Sequence, residues 1–182
     1  LYNGAVVTYT EKLINQFMSR FGYANAKVQT IPDIDDEKKE VKLTISVTPG
    51  KRIYVNRINF VGNGTTSDEV IRREIRQMEG SWLSNDLLEL SKSRIQRLPY
   101  METVEFETEP VVGEDDQVDV TFTIKEQLSG SFNVGVSYGD FNGLAFQAGV
   151  QQNNFLGTGN RIGFGLNTSK GFESFNISYT DP

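Results

Sequence analysis

From Ser129 to Pro182 the chain alternates apolar and polar residues in four short runs while carrying almost no charge, and few folds accept that combination. Phe132, Val134, Val136 and Tyr138 share one face against Asn133, Gly135 and Ser137. Leu144, Phe146, Ala148 and Val150 oppose Ala145, Gln147, Gly149 and Gln151; Ile162, Phe164 and Leu166 oppose Arg161, Gly163, Gly165 and Asn167; Phe175, Ile177 and Tyr179 oppose Ser174, Asn176 and Ser178. Of 18 basic and 24 acidic residues in the chain, only Asp140, Arg161, Lys170, Glu173 and Asp181 fall in this segment, which holds 10 of the 17 glycines. Half of a soluble β-sandwich has the same period. Its polar face, however, would carry Lys, Glu and Thr, whereas glycine and amides fit a transmembrane barrel wall, apolar toward lipid and polar toward a lumen. No stretch approaches the roughly 20 apolar residues of a membrane helix, so membrane contact would be made by strands. Asn142-Gly143 and Lys170-Gly171 read as turns. Four strands cannot close a barrel, which needs about eight, and the remainder is expected beyond Pro182.

The rest of the chain is a different material. The whole chain, with 182 residues, no Cys and no His, can form one or two domains but has no thiol nucleophile, imidazole base, disulfide framework or structural zinc site. The net charge of -6 argues against nucleic acid as the main partner. A shift of 77 positions lays Arg20 on Arg97, Tyr23 on Tyr100, and Val41, Leu43, Ile45 and Val47 on Val118, Val120, Phe122 and Ile124. Such a period suits a tandem array of small α/β domains.

The second copy is complete. Ile53 to Val61 reads as a strand, Thr66 with Glu69 as a capping box, and Val70, Ile71, Ile75 and Met78 as the stripe of a helix that Gly80 ends. Ser84 caps a second helix bearing Leu88, Ile95 and Leu98, with Pro99 as its stop. Strands at Thr103 to Glu109 and Gln117 to Glu126 flank the acidic turn Gly113 to Asp116. The first copy shows the later half alone: a helix at Thr10 to Phe21 stopped by Gly22, then strands near Lys27 to Ile31 and Val41 to Val47. Leu1 is thus expected to lie inside a domain, with the natural chain beginning upstream.

Three segments carry a resemblance: Arg73-Glu74-Ile75-Arg76-Gln77-Met78-Glu79-Gly80-Ser81-Trp82-Leu83, Gly130-Ser131-Phe132-Asn133-Val134-Gly135, and Gly149-Val150-Gln151-Gln152-Asn153-Asn154-Phe155-Leu156-Gly157-Thr158-Gly159. The chain resembles the BamA family, central subunits of the bacterial outer-membrane β-barrel assembly machine. The resemblance implies α+β POTRA domains (β-α-α-β-β) followed by antiparallel transmembrane strands of an incomplete barrel. On it, residues 1–52 are the end of a penultimate POTRA domain, 53–128 the last POTRA domain and 129–182 the first four barrel strands. It further implies a non-enzymatic insertase of the outer membrane with its POTRA domains in the periplasm, needing no metal or cofactor. Its partners would be unfolded outer-membrane protein clients, outer-membrane lipid and accessory lipoproteins, BamD at the last POTRA domain and BamB at upstream ones.

Two sites are implied. The first barrel strand, Gly130, Ser131, Phe132, Asn133, Val134, Gly135, Val136, Ser137 and Tyr138, would template client strands at a lateral gate. An unpaired strand edge is a liability in water but supplies backbone partners to a client in a membrane, and glycines would weaken the seam. Arg72 and Glu79 match family positions on the lipoprotein-binding surface, whereas on the residues alone Arg72, Arg73 and Arg76 are a solvated face with partners such as Glu69. Trp82 reads as a core or inter-domain anchor. The carboxylates Asp33, Asp35, Asp36 and Glu37, and Glu114 to Asp116, read as solvated turns, a poor acid/base pair for glycoside chemistry. Two other functions fit parts of the pattern: a POTRA-bearing secretion transporter that threads clients through its barrel, and a soluble periplasmic binding module.

Overall fold

The computed structural model describes residues 3–35, 40–140 and 143–181. Contacts divide the chain into two units, one formed by Leu1–Asn59, Ile75–Ser93 and Phe106–Phe122, the other by Phe60–Glu74, Arg94–Glu105 and Thr123–Pro182. The elements in chain order are α1 (Gly4–Ser19), β1 (Lys27–Asp35), β2 (Glu40–Thr48), β3 (Tyr54–Val61), α2 (Asp68–Arg72), α3 (Asn85–Gln96), β4 (Met101–Pro110), β5 (Gln117–Glu126), β6 (Gly130–Gly139), β7 (Gly143–Gln152), β8 (Arg161–Ser169) and β9 (Phe172–Thr180). They form a two-stranded sheet, a three-stranded sheet ordered β3-β5-β4 and a four-stranded sheet ordered β6-β7-β8-β9.

In the first unit α1 begins six residues before the expected Thr10, because Asn3 adopts an extended backbone and its Oδ1 accepts the Ala5 N–H at 3.0 Å. The Glu11 carboxylate then accepts the Thr30 N–H at 2.9 Å, tying α1 to β1. Strands β1 and β2 pair antiparallel from Lys27 opposite Thr48 to Asp35 opposite Glu40. Both run longer than their apolar runs, since the ladder continues through Asp33 and its partner Lys42. Asp36 and Glu37, read as part of the acidic turn, lie outside the described residues. The unit's core holds Ile53, Val55, Ile58, Leu83, Leu88, Val120 and Phe122, each less than a tenth exposed, with the Phe106 and Phe122 rings 5.7 Å apart.

The first helix of the complete repeat differs most from its expected form. α2 stops at Arg72, so Ile75 and Met78 continue no helical stripe, and Met78 is 74% exposed. The cause is Gln77, 1% exposed. Its Nε2 donates to Ser81 Oγ at 2.8 Å and to the Trp82 carbonyl at 3.0 Å, while its Oε1 accepts the Ser84 N–H at 3.0 Å. Buried Ser91 accepts the Arg76 N–H at 2.8 Å and donates to the Leu87 carbonyl, so the segment after α2 is fixed to α3. These bonds within 76–91 hold backbone groups that a longer helix would otherwise use. Gly80 therefore turns a loop, not a helix end. The expected Thr66–Glu69 capping box is also absent: Ser67 occupies the N-cap position without a side-chain cap bond, and Asp68 and Glu69 place negative charge in the first turn. Ser84 precedes α3 as expected, and its carbonyl accepts the Leu88 N–H at 3.0 Å.

The second unit has its own buried set, Val70, Ile71, Ile95, Tyr100, Met101, Val104 and Ile124. It also contains the four-stranded antiparallel sheet, whose register bears out the alternation. Phe132 lies opposite Val150, which on its other side meets Phe164, which meets Ile177. Val134, Ala148, Leu166 and Phe175 form the neighbouring row. Gly143 and Gly171 have left-handed backbones at the two turns; Asn142 lies outside the described residues. Among the described residues, no helix is long and apolar enough to cross a membrane, which says nothing of strands.

Candidate functional site

The β6 strand pairs with β7 along its whole length, from Gly130 opposite Gln152 to Gly139 opposite Gly143. Among the described residues no strand pairs with its other edge. Every residue of β6 is exposed, and the side chains of Phe132, Val134, Val136 and Tyr138 are 73%, 62%, 61% and 77% exposed. The opposite face explains the glycines. A Cβ on Gly149 would stand 2.5 Å from Asn133 Oδ1, one on Gly165 2.3 Å from Asn176 Oδ1 and one on Gly163 2.5 Å from Ser178 Oγ. Amide and hydroxyl side chains thus lie across the neighbouring strand where a larger residue would lift them. The result is a polar surface whose one charge among the described strand residues is Arg161, backed by an exposed apolar face that ends at Thr168 and Glu173. A β-strand edge in that setting can accept another extended segment through backbone hydrogen bonds alone.

Arg72 and Glu79 are both engaged within the fold. The Arg72 guanidinium lies 5.0 Å from the centre of the Phe60 ring. Glu79 Oε1 accepts the N–H of Ile58, a core residue, at 2.8 Å. Arg73 forms the expected surface pair with Glu69, 3.3 Å apart. Trp82 is an anchor rather than a free platform: a Cβ on Gly22 would come within 2.7 Å of Trp82 Cβ, and Gly22 has φ +87°, so only glycine fits over the indole. The Arg52 guanidinium lies 5.4 Å from the Trp82 ring and 5.1 Å from that of Tyr23. Ile53 donates to the Gly22 carbonyl at 2.9 Å, and Arg20 pairs with Asp86. Among the described residues no acidic cluster has the arrangement of a metal site.

Sequence reasoning missed two features. Gln77 gave no periodic signal, because its role lies in side-chain bonds to a loop. The turn joining β7 to β8 stands out in the sequence only within a resemblance, yet it holds Asn154, 3% exposed with φ 57°. Its Asn-Asn-Phe-Leu-Gly-Thr-Gly-Asn run, longer and more specific than a hairpin requires, was the available signal. Two titrating groups near this turn are shifted. Burial raises the Tyr100 phenol, the nearby Glu74 raises it further, and Arg73 opposes them. Burial also pushes the Glu126 carboxyl up, but hydrogen bonds from the hydroxyls and backbone N–H groups of Thr66 and Thr65 outweigh it, and the net shift is downward.

A family model described as "POTRA: Surface antigen variable number repeat" matches residues 1–50 and 53–127. The chain belongs to the POTRA family. Among POTRA-bearing relatives it is 37% identical over 161 residues to the outer membrane protein assembly factor BamA of Buchnera aphidicola, covering 88% of this chain and 26% of that protein. It is 36% identical over 169 residues to BamA of Neisseria meningitidis serogroup B, covering 93% of this chain and 21% of that one. The crystal structure of Haemophilus ducreyi BamA lacking POTRA domains 1-3 superposes with a TM-score of 0.87 at 41% identity, over 100% of this chain and 34% of that one. The chain therefore spans about a quarter of the length of these curated relatives. Its fold is of the α+β POTRA kind followed by open antiparallel sheet, the expected class.

Proposed function

We propose that this chain is part of an outer-membrane protein assembly factor that folds and inserts β-barrel clients without enzymatic chemistry. Residues 1–52 and 53–128 are then periplasmic POTRA domains and 129–182 the first barrel strands. The observation that carries this reading is the one-sided sheet β6 to β9, whose apolar side chains are exposed among the described residues and whose polar face carries a single charge there, Arg161. The identity of 36% to 41% with BamA proteins supports it. In this reading lipid covers the apolar face, so the exposure of Phe132, Val134 and Tyr138 stops being a cost. Gly130 to Tyr138 offers backbone donors and acceptors to a client strand at a lateral gate, and its indifference to side chains lets one edge serve many clients. The surface bearing Arg72 receives an accessory lipoprotein of the BamD kind; Glu79 contributes charge there in addition to its bond to Ile58. Upstream POTRA domains would receive a lipoprotein of the BamB kind.

The test uses the full-length natural protein. In detergent it should migrate differently heated and unheated, as closed barrels do, and in lipid vesicles it should accelerate insertion of an unfolded β-barrel client. Full solubility without detergent would sink the reading in favour of a soluble binding module.

A further inference from the structure

The turn between β7 and β8 is built into the loop that leads to α2. Asn154 Nδ2 donates to Thr66 Oγ1 at 2.8 Å, and Asn154 Oδ1 accepts the Gly159 N–H at 2.8 Å. Thr66 is itself 2% exposed, and its hydroxyl bonds to the Glu126 carboxylate. That carboxylate also accepts the backbone N–H of Thr65 at 2.9 Å and of Thr66 at 2.8 Å. A hydrogen-bonded relay thus runs from Asn154 through Thr66 to Glu126 at the end of β5. On the other side of the turn, the Gly157 carbonyl accepts the Ser67 N–H at 3.0 Å. Gly157 has φ +76°, and a Cβ there would stand 2.1 Å from the Thr65 carbonyl oxygen, so the two backbones are in direct contact. Gly159 lies against Val70 and the Tyr100 hydroxyl more loosely, with a Cβ there 3.2 and 3.4 Å from them. Asn153 donates from its N and Nδ2 to the Ser129 carbonyl, and Ser129 Oγ returns a bond to the Asn153 carbonyl at 2.6 Å.

A turn whose only task was to reverse the chain would leave these groups to water. Here the two most buried polar residues of the unit, Thr66 and Asn154, are spent on each other across 88 positions of sequence. We propose that Asn154 is a positioning residue that, with Thr66, Gly157 and Glu126, locks the β7–β8 turn to the loop before α2 and so aims the free edge of β6. The strands are then held to the preceding segment twice: covalently through Gln127 to Ser129, and by this lock one ladder further along the sheet. The hydrogen-bonded register from β7 to β6 carries the restraint to the edge strand. The covalent tether alone would let the sheet swing about Leu128, since Gln127 is bonded to Pro99, Tyr100 and Met101 and Ser129 to Asn153; a second attachment does not. The consequence for client insertion rests on the assembly function proposed above, while the lock itself does not.

This chain has no cysteine, so in full-length protein, with any cysteine outside it replaced by Ser, a pair of spin labels at Gln96→Cys and Lys170→Cys reports one distance distribution in lipid. Asn154→Gly keeps the left-handed backbone and deletes both side-chain bonds; it should broaden that distribution about twofold and slow client insertion several-fold. Gly157→Val should do the same by driving a side chain into the Thr65 carbonyl. Thr66→Ser keeps the hydroxyl and should leave both readouts as in the parent. Heat-shifted migration checks that the variants fold; should Gly157→Val fail it, Asn154→Gly decides. An unchanged distribution in Asn154→Gly overturns the lock, and a broadened distribution with insertion at the parental rate overturns the positioning role. A parent protein that inserts no client would instead contradict the assembly function, leaving the distances to decide the lock.

Discussion

Glu126 illustrates how a single carboxylate at a strand end sets a pH dependence. Its folded pKa is lowered, outweighing burial, because Thr65 and Thr66 bond the charged form. A carboxylate with a lowered folded pKa stabilises the fold above its unfolded pKa, and that stability is lost as pH falls through the lower, folded value. Glu126→Gln should therefore destabilise by about 1 kcal/mol at neutral pH, discounted for solvent screening. In urea unfolding followed against pH, the gap between parent and variant should close as the solution is acidified below the ordinary carboxylate range; a gap constant with pH would contradict the assignment. Gln77 is more deeply embedded. Gln77→Leu removes four side-chain bonds and leaves the Ser84 N–H without its acceptor, so thermal unfolding should register a loss of about 2–3 kcal/mol. Under the proposed function Glu79 would couple two roles. Because its Oε1 accepts the Ile58 N–H, reversal to Lys should cost about 1 kcal/mol of stability as well as weaken co-purification with the lipoprotein. Glu79→Gln retains an acceptor and removes the charge, so it should keep stability near parental while still weakening the partner; normal co-purification in this variant would leave the carboxylate a structural role only.

At the scale of elements, what the sequence makes legible depends on where the information is stored. The β6 to β9 strands follow from alternation alone, since period two is a local property that a one-sided environment reinforces. The 77-residue repeat is legible for the same reason: shifted by that spacing, Glu40–Thr48 falls on Gln117–Glu126 to within a residue. α2 is shorter than hydrophobic periodicity predicts because Gln77 reorganises the chain after Arg72 through side-chain bonds that periodicity does not encode. The N-cap falls one residue after the predicted Thr66 because the Thr66 hydroxyl is committed to Asn154, 88 positions away, and to Glu126. Of the candidate site, the apolar and polar faces of β6 were readable, while the seat of the β7–β8 turn was not, because it is a contact between two loops. That seat alters what a linker experiment should show. Several Gly-Ser residues inserted between Gln127 and Gly130 lengthen one attachment and leave the other, so client insertion should fall modestly. Combined with Asn154→Gly, the insertion should cost more than the two effects added; strict additivity would mean that the attachments act independently.

For the whole molecule, the central claim is that clients are received by the backbone edge of β6. Many different client strands can satisfy one edge only if main-chain groups do the recognition, so Asn133→Ala and Ser137→Ala should leave insertion within about twofold of parental. Proline at a position whose N–H points away from β7 removes a donor and distorts the ladder, and should reduce insertion at least tenfold. The most direct measurement is cysteine crosslinking of full-length protein to the C-terminal strand of a stalled client, scanning Gly130 to Tyr138 one position at a time with lumen-facing positions on β7, β8 and β9 as comparison. Crosslinks confined to β6 in one alternating register are the expected result. Crosslinks spread over the polar face of all four strands, with none favouring β6, would contradict edge pairing and indicate a client threaded through the lumen.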